Sequence, residues 1–546
     1  MRRESYEKDF ETGLIAGPFA AVFIFAQHTK INSTIRCRGL VHPLNVFAGV
    51  PNRIVNATFH KGSAVSGLAC ITVPGCLDSR VRFRRARTPV LHLTVSTKAI
   101  DRQRLKSLMQ REQQRFVNER PKSKVLFERA GKSLLGGVPM NWMIKWAGAF
   151  PPFVREAQGA HFYDVDGHRY IDFCLGDTGA MTGHSPFATV KAVEEQMKRG
   201  ITLMLPTEDA IFVAEELQER FGLPYWQFAL TATDANRFAV RLARQITRRP
   251  KVLVFNWCYH GTVDESFITL KDGVAQARRG NIGPPVDPAV TTKVVEFNDV
   301  AALEEALAPG DVACVLAEPV MTNVGIVHPE PGYHQVLREL TEKFGTLLII
   351  DETHTICTGA GGYTRAENLD PDFFIFGKAI AGGVPGAAYG FTEAVASSIA
   401  KDQNLEDCDT GGIGGTLAGN ALSLAAMRAT LTKVLTKDAF TRMIPPAERW
   451  TAGVQKTITE FGMPWHVTRL GCRAEYQFSS APPKNGAQAH DAMDFELERF
   501  MHLYAMNRGI LLTPFHNMAL MCPQTDPDDV DQHTRVFREA VKDLVL

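Results

Sequence analysis

"DFFIFGKAIAGGVPGAAYGF" spans Asp372–Phe391. An apolar run stops at a glycine, one lysine follows, and a glycine-rich turn leads into a second apolar run. Upstream, "TLLIID" (Thr346–Asp351) is another apolar run, and it ends in a carboxylate. A charge at such a place is expensive to bury unless it is paired or used. Short continuous apolar runs bounded by turn residues read as strands buried on both faces. "KVLVFNW" (Lys251–Trp257) and "ACVLAEPV" (Ala313–Val320) read the same way. Helical patterns lie between them, such as "VAALEEALA" (Val300–Ala308) and "YHQVLRELTEKFG" (Tyr333–Gly345). This alternation predicts an α/β fold with a mostly parallel sheet and helices on both faces. Ligands in such sheets bind at the carboxyl ends of strands, which is where Lys378 and Asp351 fall.

Composition sets the class. Hydrophobic residues make up 45% and charged residues 22%, so a large core is available, and the formal net charge is +1. That balance gives no field for nucleic acid or an anionic membrane. The ten cysteines are scattered, with no CxxC pair and no zinc spacing, so free thiols in a reducing compartment and no metal are expected. No apolar run reaches the ~18–20 residues of a membrane span. "LIAGPFAAVFIFA" (Leu14–Ala26) has the length of a signal-peptide core, but Glu4, Glu7, Asp9 and Glu11 precede it. Residues 36–99 are rich in Arg, Val and Thr, with Asp78 as their single carboxylate. Residues 1–108 are therefore read as an extension outside the catalytic fold, either a targeting segment or unrelated sequence. A cytoplasmic enzyme is expected, with that extension as the one place for an organellar address.

The placed groups suggest a chemistry. Pyridoxal phosphate (PLP) requires a lysine for a Schiff base and an acid against the pyridinium nitrogen. It also requires an aromatic face, and backbone N–H groups at a helix start for its phosphate. "LTATDANRFAVRLARQI" (Leu230–Ile246) supplies a small-residue turn, Thr231-Ala232-Thr233, before a helix. "FNWCYHGT" (Phe255–Thr262) brings Trp257, Tyr259 and His260 just after a strand, and "GGIGGTLAGN" (Gly411–Asn420) is a second glycine-rich loop before a helix. Lys378 alone reads as a surface lysine and Asp351 alone as a helix cap; in this order and company they read as a PLP site.

From about residue 120 to residue 546, the chain resembles the class III PLP-dependent aminotransferases. Within them it is most similar to glutamate-1-semialdehyde aminomutase and the β-amino-acid transaminases. "LLIIDETHT" followed by "FGKAIAGGVPGAAYG" carries the resemblance; "YHG", Glu318-Pro319 and "GGTLAGN" support it. The resemblance implies the type I PLP fold: a large domain at 185–435 with a seven-stranded sheet, and a small α+β domain from 109–184 and 436–546. It implies that Lys378 forms the Schiff base and moves protons, that Asp351 holds the ring nitrogen protonated, and that Tyr259 stacks on the ring. Ala232 and Thr233 are expected at the phosphate and Asn323 near the ring's 3′ oxygen, with His260 in support. Thr416 is expected to reach the phosphate of a neighbouring subunit in a homodimer.

The chain departs from the family pattern in three places. Thr231-Ala232-Thr233-Asp234-Ala235 replaces the usual Ser-Gly-Thr-Glu-Ala, Thr353-His354 replaces an apolar position, and Trp142, Lys145 and Trp146 stand where the aminomutase has an arginine. Trp142, Trp146, Glu208 and His354 are the expected substrate pocket, and "PFHN" (Pro514–Asn517) its entrance. Transamination between a small-molecule amino donor and an oxo acceptor is the first reading. An intramolecular aminomutase is the second, and a binding subunit that has lost catalysis the third.

Overall fold

The computed structural model describes residues 100–283, 286–401 and 411–546. The expected extension, apart from residues 100–108, lies outside them. Seven strands form the central sheet: β1 (Tyr225–Ala229), β2 (Lys251–Phe255), β3 (Thr292–Val295), β4 (Val312–Ala317), β5 (Leu347–Asp351), β6 (Phe373–Phe376) and β7 (Ala387–Phe391). Their spatial order is β1-β7-β6-β5-β4-β2-β3. All the pairs from β6 to β3 are parallel; β7 runs antiparallel to β6 and β1. The reversal has a local cause. Residues 377–386 join β6 to β7 with only a short 3-10 turn at Lys378–Ala381, too little chain for the crossover that a parallel neighbour needs.

The strands alternate between two buried faces. Val252, Val254, Cys314, Leu316, Ile349, Phe373 and Ile375 pack with Ala235, Ala239, Val240 and Ala243 of the helix Ala232–Thr247. Leu253, Phe255, Val315, Ala317, Leu348 and Ile350 pack with Leu303 and Leu307 of Val300–Leu307 and with Leu337 and Leu340 of Tyr333–Phe344. Each buried Val, Leu, Ile or Phe among them gains about 1.5–3 kcal/mol by leaving water, which is why these strands carry almost no polar residue. The two edge strands differ: Tyr225 and Gln227 of β1 are exposed, and β3 contains Lys293.

Outside this sheet, His161–Asp164 and Arg169–Asp172 form a hairpin around Asp166-Gly167, and Ile510–Leu511 pairs in parallel with its second strand. Chain segments far apart in sequence thus share one sheet. A three-stranded antiparallel sheet (His466–Leu470, Arg473–Gln477, Met518–Leu520) packs against the helices Lys437–Phe461 and Pro527–Val545. The helix Arg102–Glu119 begins within the expected 1–108 extension, is capped by Asp101, and buries Leu105 and Leu108 in the core, so its first turns belong to the fold. No helix among the described residues is long and apolar enough to cross a membrane.

Candidate active site

A cavity of about 490 Å³ opens at the carboxyl ends of the parallel strands. Strand geometry brings its groups together. Asp351 ends β5, Lys378 follows β6 by one glycine, Glu318 follows β4, and Thr231–Thr233 follow β1; all of them line the cavity, as do Tyr259, His260 and His354.

Asp351 is an anion held from three sides. Its Oδ2 accepts from Asn236 Nδ2 at 2.8 Å and from His260 Nδ1 at 2.9 Å, and its Oδ1 accepts from the Thr353 amide at 3.1 Å. Burial opposes its charge, but these hydrogen bonds outweigh that and hold the carboxyl at about 2. Burial likewise opposes a charge on His260, yet Cys258 and the Asp351 carboxylate raise its pKa to about 10. The Asp351 carboxylate thus favours the protonated ring.

All three ammonium donors of Lys378 have acceptors. Nζ donates to the Asp177 carbonyl at 2.9 Å, to Asp177 Oδ2 at 2.8 Å and to His354 Nε2 at 2.5 Å. Burial opposes the charge on Asp177, but the charge on Lys378, with Arg473 and His516 behind it, holds its carboxyl well below the usual range. His354 is pushed well below its ordinary value by burial and by the Lys378 charge, so the ring is neutral and Nε2 is free to accept. Its Nδ1–H then donates to Thr322 Oγ1 at 2.7 Å, and the Thr322 hydroxyl donates to Glu318 Oε2. Lys378 and Asp177 both take left-handed backbone, at φ 46° and 50°. Such strain, about 1–3 kcal/mol per residue, persists where the surroundings enforce it and marks functional sites.

The helix Ala232–Thr247 points its start into the cavity. Its first amides have no intrahelical acceptor, and its dipole favours an anion there. Ala232 is the first helical residue and is not in left-handed backbone, so alanine in place of glycine costs nothing at this turn. The packing around the turn is close. A Cβ on Gly377 would lie 2.8 Å from Ala232 Cβ, and one on Gly261 (φ 77°) would lie 2.0 Å from Thr233 Oγ1. Tyr259 forms part of the wall, with burial pushing its phenol up to about 12, and Trp142 packs against it at 5.7 Å between ring centres. Phe515, within the expected entrance, meets Trp142 edge-on at 5.7 Å.

Four expected residues stand apart from this cavity in the single chain. Trp146 packs against the cluster around Phe116 and Phe150. Glu208 is exposed in the first turn of the helix Glu208–Phe221. Asn323 donates to the Trp257 carbonyl at 2.8 Å, and Trp257 itself stacks on His490 at 3.8 Å. Thr416 is exposed. Conversely, Asp177, Asn236 and Thr322, and Glu318 as a titrating group, went unassigned from sequence. The "EP" motif marked Glu318, but nothing local marks the other three.

Residues 143–525 match the family model "Aminotransferase class-III". The chain is 34% identical over 443 residues to a glutamate-1-semialdehyde 2,1-aminomutase 2 of Exiguobacterium sibiricum, covering 79% of this chain and 99% of that one. A solved glutamate-1-semialdehyde-aminomutase from Pseudomonas aeruginosa PAO1 superimposes with a TM-score of 0.80 at 50% identity, over 82% of this chain and 99% of that one. An omega-transaminase from Sphaerobacter thermophilus superimposes with a TM-score of 0.70 at 28% identity, over 77% of this chain and 97% of that one. Family model, relatives and fold agree, and the chain belongs to the class III aminotransferases.

Proposed function

We propose that this chain is a PLP-dependent enzyme that moves an amino group between an amino acid or amine and an oxo acid or aldehyde, with Lys378 as its catalytic amine. One observation carries the reading: Lys378, the ionised Asp351 and the start of the helix Ala232–Thr247 all face one cavity. The residues present fit the cofactor. Asp351 suits a protonated ring nitrogen, the amides of Ala232 and Thr233 with the Thr233 hydroxyl suit a phosphate, and Tyr259 suits a ring face. The aminomutase of Pseudomonas aeruginosa has also been solved in complex with PMP, at 49% identity to this chain.

Bound there, PLP supplies an aldehyde and a ring that accepts the electron pair left when a substrate Cα–H bond breaks. Asp351 keeps its charge throughout and so stabilises positive charge opposite it. His260 and Asn236 fix the Asp351 carboxylate in place. Lys378 Nζ, once neutral, would be the base that takes the substrate Cα proton and the acid that returns it. The apolar wall around Trp142 excludes water and favours donors with apolar side chains.

Intramolecular aminomutation is the second reading, supported by the relatives at 34% and 50% identity, which are named for it. The active unit is proposed as a homodimer with Thr416 serving the neighbouring site, and the setting as cytoplasmic. Transamination is tested by oxo-acid formation from a panel of α-, β- and ω-amino donors with an oxo acceptor. Turnover of glutamate-1-semialdehyde with no acceptor, and no oxo acid from any donor, would establish the aminomutase instead.

A further inference from the structure

The hydrogen bonds behind Lys378 all run one way. The ammonium donates to His354 Nε2, His354 Nδ1–H donates to Thr322 Oγ1, and Thr322 donates to Glu318 Oε2. Glu318 is buried at 5% exposure, and its other oxygen, Oε1, has no hydrogen-bond partner. Four side chains from three loops, those after β4, β5 and β6, thus form an unbroken line from the reactive amine to a buried carboxylate. A salt bridge alone would not need it, because Asp177 already pairs with Lys378 at 2.8 Å.

From this geometry we infer that His354, Thr322 and Glu318 form a proton relay that takes the surplus proton off Lys378 and parks it on Glu318. This rests on the reading of Lys378 as the catalytic amine. The step balances without an external acid or base. One Nζ–H bond breaks as Nε2–H forms on His354. Its Nδ1–H breaks as an O–H forms on Thr322, whose original hydroxyl proton passes to Glu318 Oε2. Lys378 ends as a neutral amine with its lone pair free, Glu318 as a neutral acid, and His354 as the opposite neutral tautomer. Run backwards, the line returns the proton when the ammonium must be restored.

The charges facing the line suit this assignment. His354 is faced by Lys378, by Asp177 at 3.8 Å, and by Arg473 and Asp351. Glu318 is faced by His260, Asp351 and Arg473. Asp177 is held so firmly ionised by the cations about it that it binds the ammonium without accepting its proton. Glu318 is the opposite case: burial pushes its carboxyl up to about 6, in spite of His260. It is ionised and ready to accept above that pH, and already filled below it.

The test follows cofactor capture rather than turnover. Full-length protein stripped of cofactor is mixed with PLP, and the rise of visible absorbance is followed by stopped flow across pH. The wild-type rate is expected to climb through about pH 6 as Glu318 ionises. Glu318→Gln and Thr322→Val are expected to lose that inflection and to capture PLP about a hundredfold more slowly, the lower reach of acid–base assistance. Thr322→Ser keeps the hydroxyl and is expected to match wild type. Unchanged melting temperatures would show that the slow variants are folded. A wild-type profile in Thr322→Val, or a Thr322→Ser as slow as Thr322→Val, would overturn the relay. If the wild type gains no absorbance that borohydride fixes, or Lys378→Ala gains the same one, the assignment of Lys378 itself fails and takes the relay with it.

Discussion

His260 Nδ1 donates to Asp351 Oδ2 at 2.9 Å, and the two residues are only 1% and 4% exposed. This is a buried ion pair, and its pH window follows from the two shifts. Asp351 is lowered from 3.8 to about 2, so its stabilising effect is complete above 3.8 and disappears as pH falls through 2. His260 is raised from 6.5 to about 10, so its effect is complete below 6.5 and disappears as pH rises through 10. Both operate fully between 3.8 and 6.5. His260→Ala leaves the carboxylate buried without its cation and is expected to cost about 3–5 kcal/mol in that window. The deficit should shrink towards pH 10. Urea unfolding of both proteins across this range checks it; a deficit that grows with pH would contradict the pairing.

Lys378→Ala is expected to lower the turnover of any substrate by at least about 10³-fold, since both nucleophile and proton carrier are removed. Bound cofactor should no longer be fixed by borohydride. The protein should still fold, because Lys378 contributes no side chain to the hydrophobic core. Activity assays and mass spectrometry after reduction decide this.

Gly377→Ala would place a methyl group 2.8 Å from Ala232 Cβ and 3.1 Å from its backbone nitrogen. The lysine turn and the helix start must then part by several tenths of an ångström. PLP affinity is expected to fall about tenfold or more, with a stability loss of about 1–3 kcal/mol from overpacking. Titration of stripped protein with PLP reads the first, thermal unfolding the second.

Trp142→Ala opens the cavity wall beside Tyr259 and removes an aromatic contact of about 0.5–1.5 kcal/mol. KM for donors with aromatic or long apolar side chains is expected to rise about tenfold, while small donors change little. Equal effects on all donors would show that Trp142 does not shape selectivity.

The interior strands were legible because a strand buried on both faces must be apolar between its ends: β4 and β6 are apolar throughout, and β2 and β5 carry a charge only at one end, Lys251 and Asp351. The strands that sequence reading did not single out, β1 and β3, are the two edges of the sheet. There solvent permits Tyr225, Gln227 and Lys293, and the apolar run is broken. Trp146 and Glu208 were expected in the pocket on residue type and neighbourhood, and the chain directs them elsewhere. A side chain's direction depends on what its element packs against, which sequence neighbourhood does not carry.

By itself the sequence determined the order of strands and helices and the two charged residues at strand ends, because apolar periodicity is local and survives without the fold. Only the tertiary structure decided what surrounds those charges. Asp177 meets Lys378 from 201 positions away, and Asn236 meets Asp351 from 115. Contacts at that range are made by chain topology bringing loops to one edge of the sheet. No spacing in the sequence encodes whether an anion, an imidazole or open solvent will face the amine.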